Sequence, residues 1–106
     1  MNMKRIELTD VQREKIMDAL AVTRDENGSF EVDVYLDEMT VNAYGWMDVE
    51  TYVEDDYRCG YMRGTGAAVT YRRASIDLTA YDQDGNKYAV DEKSCRIIDR
   101  YMNEAS

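Results

Sequence analysis

The chain has 106 residues and a formal net charge of −9, with 44% hydrophobic and 33% charged residues. That is the balance of one small globular domain with one core, and no apolar run reaches the roughly 18 residues a membrane span requires. There is no histidine. The commonest general base and the commonest metal ligand are thus missing, which disfavours most hydrolase and metalloenzyme designs and leads us to expect a non-catalytic protein without cofactor.

Proline is also absent, so turns must rest on glycine, asparagine and aspartate. Two cysteines, Cys59 and Cys95, are too few for a disulfide framework, and with no histidine they do not read as a zinc site. Both are expected free. Met1 to Asp10 lacks the apolar segment of a signal peptide, so the expected location is cytoplasmic. The charge is uneven: Asp25 to Tyr57 carries 11 acids and no lysine or arginine, while the remaining 11 acids share the rest of the chain with all 13 bases. Such a field repels nucleic acid and favours a basic partner.

In chain order, Thr9 with Gln12 has capping-box spacing, and Asp10 suits the first turn of a helix. Ile16, Met17, Leu20 and Ala21 then form its apolar side, with Arg13, Glu14, Lys15 and Asp18 on the wet side. The turn formers Asp25-Glu26-Asn27-Gly28 end it near Thr23.

Strict alternation follows. Phe30, Val32, Val34 and Leu36 share one face of a first strand, and Glu31, Asp33, Tyr35 and Asp37 share the other. From Met39 to Glu54 the odd positions are apolar or small, with Thr51 the exception. The even positions are Thr40, Asn42, Tyr44, Trp46, Asp48, Glu50, Tyr52 and Glu54. This long strand organises the chain. A turn at Asp37-Glu38 pairs Leu36 with Met39, Val34 with Val41, Val32 with Ala43 and Phe30 with Gly45, each apolar opposite apolar or small. Gly45 opposite Phe30 suggests a bend or bulge. At about 3.3 Å per residue the second strand would span roughly 50 Å, so it should bend or outrun its neighbours.

Tyr57 to Gly66 reads as a loop or hairpin tip. Its glycines 60, 64 and 66 lack the lysine and following helix of a phosphate-binding loop, and plain turn glycines explain them better. Val69 and Tyr71 begin a third strand, and Ala74, Ile76, Leu78 and Ala80 continue it on the opposite parity, which suggests a bulge at Arg72-Arg73. Asp82, Asp84 and Asn86 alternate as calcium ligands do, but the glycine and glutamate positions of a calcium loop fail, and Asp84-Gly85 is a hairpin signal. A short fourth strand, Lys87 to Val90, keeps Tyr88 and Val90 facing as Leu78 and Ala80 do only if the loop has an odd number of residues. Asp91 then caps a closing helix whose buried side is Cys95, Ile98 and Met102 with Ile97 and Tyr101. The expected fold is α+β: a four-stranded antiparallel meander with an N-terminal and a C-terminal helix, in the order α-β-β-β-β-α, as one domain.

No motif specifies a reaction or a ligand. The most informative constellation joins the first strand's polar face to the second strand's even face: Glu31, Asp33, Tyr35, Tyr44, Trp46, Asp48, Glu50, Tyr52 and Glu54, continued by Asp55 and Asp56. Acids around tyrosines and a tryptophan suit recognition of an arginine- or lysine-rich protein surface, because acids steer encounter and aromatics supply contact area and cation–π attraction. The alternative is that a helix covers Trp46 and Tyr44, leaving the acids at the rim. Glu54-Asp55-Asp56 point to alternate sides of an extended chain and so do not converge on a metal.

Tyr52-Val53-Glu54-Asp55-Asp56-Tyr57, with Gly64-Thr65-Gly66-Ala67, resembles small uncharacterised proteins of Bacteroides-type gut bacteria and their mobile elements. The resemblance covers the middle third and implies no activity. The function expected from the residues is a small acidic binding module for a basic protein, without direct nucleic-acid or membrane binding. If the partner itself binds nucleic acid, the module would inhibit it by charge mimicry of phosphates. Two other expectations are a homo-oligomer such as a homodimer, built through the long strand around Trp46, and a small enzyme using Arg72 or Arg73 near Glu54 and Tyr57.

Overall fold

The computed structural model describes residues 4–53 and 68–104. Its elements are β1 (Arg5–Ile6), α1 (Asp10–Leu20), a 3-10 turn (Thr23–Asp25), β2 (Gly28–Leu36), β3 (Met39–Val53), β4 (Ala68–Asp82), β5 (Lys87–Val90) and α2 (Glu92–Met102). The class is α+β with a mostly antiparallel sheet in the order β1-β5-β4-β3-β2. Among the described residues five strands replace the expected four. β1 pairs parallel with β5, through Ala89 N–H to the Lys4 carbonyl at 2.8 Å and Asp91 N–H to the Ile6 carbonyl at 2.9 Å. A two-residue strand has no periodicity to show in a sequence.

The β2–β3 register is the expected one, from Leu36 opposite Met39 to Gly28 opposite Met47. Asp37 adopts φ 43°, the left-handed conformation that a two-residue hairpin turn demands. β3 and β4 then pair without interruption from Met39–Asp82 to Val53–Ala68. There is no bulge, either at Gly45 or at Arg72-Arg73. Gly45 instead permits close approach, because a Cβ there would collide with the Ser75 carbonyl. The parity change in β4 has another cause: Tyr71 faces away from the helices, and Arg72 takes the helix side. The Arg72 guanidinium reaches Asp25 Oδ1 at 2.7 Å and the carbonyls of Arg24 and Glu104 at 3.1 and 3.0 Å. Five residues separate Tyr81 from Lys87, which pair across the β4–β5 hairpin. The loop is therefore odd in length, as the shared face of Ala80 and Tyr88 requires.

Both helices pack on the face of the sheet that carries Val34, Leu36, Val41, Ala43, Met47 and Ala80. They contribute Ile16 and Leu20 from α1, and Ile98 and Met102 from α2. Each such buried chain contributes about 1.5–3 kcal/mol, which is why this face fixes where the helices lie. Arg13, expected in water, is buried instead. Its guanidinium pairs with Asp10, and it donates to the Leu8 carbonyl at 2.8 Å and to Ser94 Oγ at 3.2 Å. Those acceptors stand ready because the two helix N-termini are adjacent, so the long side chain can cross between them.

The caps explain that adjacency. Thr9 and Gln12 form the expected capping box. Asp91 accepts from Ser94 N–H and, across the chain, from Leu8 N–H, both at 3.0 Å. Burial alone would raise the Asp91 carboxyl, but the bonds from Ser94 and Leu8 and the charge of Arg13 outweigh it and hold the group below the ordinary carboxylate range.

Asp91→Ala should therefore cost about 2 kcal/mol, roughly half from the lost cap and half from the lost Leu8 bond. A depressed folded pKa gives stability that is present above the unfolded value and lost as pH falls through the folded one. Urea denaturation should show the gap between native protein and variant closing from about pH 5 toward pH 2. A gap independent of pH would contradict this role.

Candidate functional site: the open sheet face

Placing both helices on one side leaves the other side of the sheet uncovered among the described residues. In antiparallel strands, directly opposed residues share a face. Along β3 this gives cross-strand rows: Tyr35, Thr40 and Tyr81; Asp33, Asn42 and Thr79; Glu31, Tyr44 and Asp77; Ser29, Trp46 and Ser75; Asp48 and Arg73; Glu50 and Tyr71; Tyr52 and Val69. Trp46 and Tyr44 each keep 44% of their surface exposed, and Tyr35, Tyr52 and Tyr71 keep more. The helix-covered alternative does not hold. An exposed aromatic set of this size, in continuous rows, is the kind of patch that marks an interaction surface.

Glu31, Asp33, Tyr35, Tyr44, Trp46, Asp48, Glu50 and Tyr52 all lie on this one face, as alternation predicts. Glu54, Asp55 and Asp56 lie outside the described residues. Tyr71, Arg73, Ser75 and Asp77 join the face from β4. The expected bulge misplaced Tyr71 and Arg73, whereas Ser75 and Asp77 follow from the alternation of Ala74, Ile76, Leu78 and Ala80 alone; counting by twos along the unbroken strand finds all four. Arg73 stands opposite Asp48, while Lys87 and Arg5 lie toward the β5 and β1 side. The face is thus acidic toward β2 and basic toward the opposite edge.

The acids differ in what they already hold. Asn42 donates to Asp33 Oδ1 at 2.8 Å, and the Tyr52 hydroxyl donates to Glu50 Oε2 at 2.5 Å. That bond, and then the carboxylate's charge, raise the Tyr52 phenol above its usual range. Tyr52 also meets Tyr71 edge to face, with ring centroids 5.8 Å apart. Among the described residues, Glu31, Asp48 and Asp77 receive no such hydrogen bond. Glu31 and Asp77 flank Tyr44 directly, so a cation seated over that ring would find a carboxylate on either side.

Two asparagines frame the face from below. β2 ends opposite Met47 and β5 reaches β4 only at Thr79 to Tyr81, so β3 and β4 continue as a two-stranded ribbon. Where cover stops, Asn27 donates to the Val49 carbonyl at 3.2 Å and accepts from its N–H at 2.5 Å. Asn103 does the same for Ala74, accepting from N–H at 2.8 Å and donating to the carbonyl at 3.4 Å. Each carboxamide stands in for one residue of a missing strand. Arg24, stacked over Tyr101 at 4.2 Å, closes the same corner with Arg72.

Elsewhere, a concavity of about 600 Å³ is lined by Ile6, Gln12, Leu36, Asp37, Glu38, Met39, Asp82 and Tyr88. Its Asp82 accepts from Asn86 N–H at 2.8 Å, Asp84 N–H at 2.9 Å and the Tyr88 hydroxyl at 2.8 Å, so that carboxylate organises the β4–β5 turn. This confirms the turn assignment for Asp82-Asp84-Asn86. Among the described residues no three acids or thiols gather as a metal site. No described helix is long and apolar enough to cross a membrane. Cys95 is free, and burial raises its thiol; Cys59 lies outside the described residues.

The lone tryptophan offers a direct check of this geometry. Trp46 fluorescence should have the emission of a wet indole and be quenched by acrylamide in proportion to its exposure. Blue-shifted emission resistant to quenching would mean the face is covered. No family model, no curated protein and no solved structure matches the chain.

Proposed function

We propose that the chain is a non-catalytic binding module that docks a basic protein surface on its open sheet face. The supporting observation is the pair Glu31 and Asp77 flanking exposed Tyr44, beside exposed Trp46, on a face no described helix covers. Aromatic rings give contact area at low entropic cost, and carboxylates without internal partners lose little when they accept a lysine or arginine. The same acids disfavour self-association through this face, since two copies would bring like charges together. Where the partner binds nucleic acid, the acids compete with its phosphates, and the module inhibits it.

The test compares capture by the native protein with capture by a variant carrying Glu31→Gln, Asp48→Asn, Glu50→Gln and Asp77→Asn. A control of equal charge change carries Glu14→Gln, Asp18→Asn, Asp84→Asn and Glu92→Gln, away from the open face. A basic protein should bind the native form and the control, bind the face variant about tenfold more weakly, a difference of about 1.4 kcal/mol, and elute with moderate salt. Equal weakening by both variants would reduce the effect to net charge and contradict docking on this face.

A further inference from the structure

Among the described residues β2 is the last strand of the sheet, nine residues long with one edge paired to β3. Which groups face outward follows from the Asn27 contact. Val49 turns its N–H and C=O toward the β2 side to meet Asn27, so in the unbroken strand β3 every odd residue does the same. Their β2 partners Gly28, Phe30, Val32, Val34 and Leu36 therefore bond inward. Ser29, Glu31, Asp33 and Tyr35 direct their N–H and C=O outward, and no backbone bond to them is made by the described residues beyond the sheet. The same four residues carry their side chains on the open face.

Edges of this kind are usually blunted by lysine, proline or a bulge. β2 has none of these: its sequence is Gly-Ser-Phe-Glu-Val-Asp-Val-Tyr-Leu, paired to β3 in continuous register. Its charges are Glu31 and Asp33. Antiparallel pairing with a second copy centred on this stretch would set acids opposite acids, which destabilises a sheet. A basic strand would reverse that sign.

We propose that the free edge of β2 receives an extended basic segment of the partner as a sixth strand. The segment's residues opposite Glu31 and Asp33 are lysine or arginine, projecting onto the open face, and the residues between them are apolar, lying beside Val32 and Val34 on the helix side. Backbone bonds supply affinity, and the alternation of basic with apolar supplies specificity. The inference rests on the docking reading, whose acids it shares, and adds the mode of binding.

A peptide alternating lysine and valine is compared with one of the same composition in which the lysines are consecutive. The protein is used native, as Glu31→Pro, and as Glu31→Lys with Asp33→Lys. Proline at position 31 removes an outward N–H and leaves the inward bonds to β3 in place. The charge-reversed variant tests the same edge without altering the backbone. Binding is followed by titration, and by amide hydrogen exchange at Ser29, Glu31, Asp33 and Tyr35.

The alternating peptide should bind native protein at least tenfold more tightly than the block peptide and slow exchange at those four amides. Either variant should lose at least tenfold. If basic peptides bind and are lost from the Glu31, Asp48, Glu50 and Asp77 variant, yet the four amides exchange as before and Glu31→Pro binds within twofold, the edge is not used while docking on the face stands. If neither peptide binds, both readings fail. Slowed exchange in the free protein that grows with its own concentration would make a second copy the occupant and overturn the proposal.

Discussion

Everything in this molecule follows from one-sided burial. Two helices of eleven residues each lie against the odd positions of β3 and their neighbours, and Ile16, Leu20, Ile98 and Met102 close over Val41, Ala43 and Met47. Nothing described covers the even positions. Antiparallel sheets tolerate this because one face can stay in water if its side chains are polar enough. Here they are only partly polar, since the acids alternate with Tyr44, Trp46, Tyr52 and Tyr71. The same division that builds the core produces the surface with most to gain from a partner.

A second constraint is length. β3 and β4 run for fifteen residues each, beyond the reach of β2 on one side and β5 on the other. An isolated two-stranded ribbon is marginal in water. Asn27 and Asn103 each close one backbone unit where the flanking strands stop. Arg72, held by Asp25 and by the carbonyls of Arg24 and Glu104, ties the ribbon's helix side to the ends of both helical segments. Thr51 and Thr70 share a hydroxyl contact at 3.0 Å further out. The aromatic and acidic rows at Asp48 to Tyr52 thus sit on a braced extension of the sheet.

Alternation made most of the β2–β3 hairpin legible: register, turn and the sorting of Tyr44 and Trp46 onto the acidic face all follow from a period of two, while the role of Gly45 depends on Ser75 across the sheet. Both helix starts were legible from Thr9 with Gln12 and from Asp91, because capping is local chemistry. What escaped were the long-range satisfactions. Arg13 and Arg72 count as wet by composition, yet each finds carbonyls supplied by elements distant in sequence. Taking Val69 and Tyr71 as inward residues, when Arg72 fills that side, produced the expected bulge and with it misplaced Tyr71 and Arg73. β1 is defined only by its partner β5. Whether Trp46 would be covered could not be decided from β3 itself, because that depends on where the helices go.

The central claim is that the uncovered face, and not the helical side, meets the partner. Carbodiimide labelling of carboxylates, read residue by residue with and without a bound basic partner, tests it most directly. Glu31, Asp48 and Asp77 should be protected in the complex while Glu14, Asp18 and Glu92 label as in the free protein. Protection of the helix acids with unchanged labelling of the sheet face would contradict it.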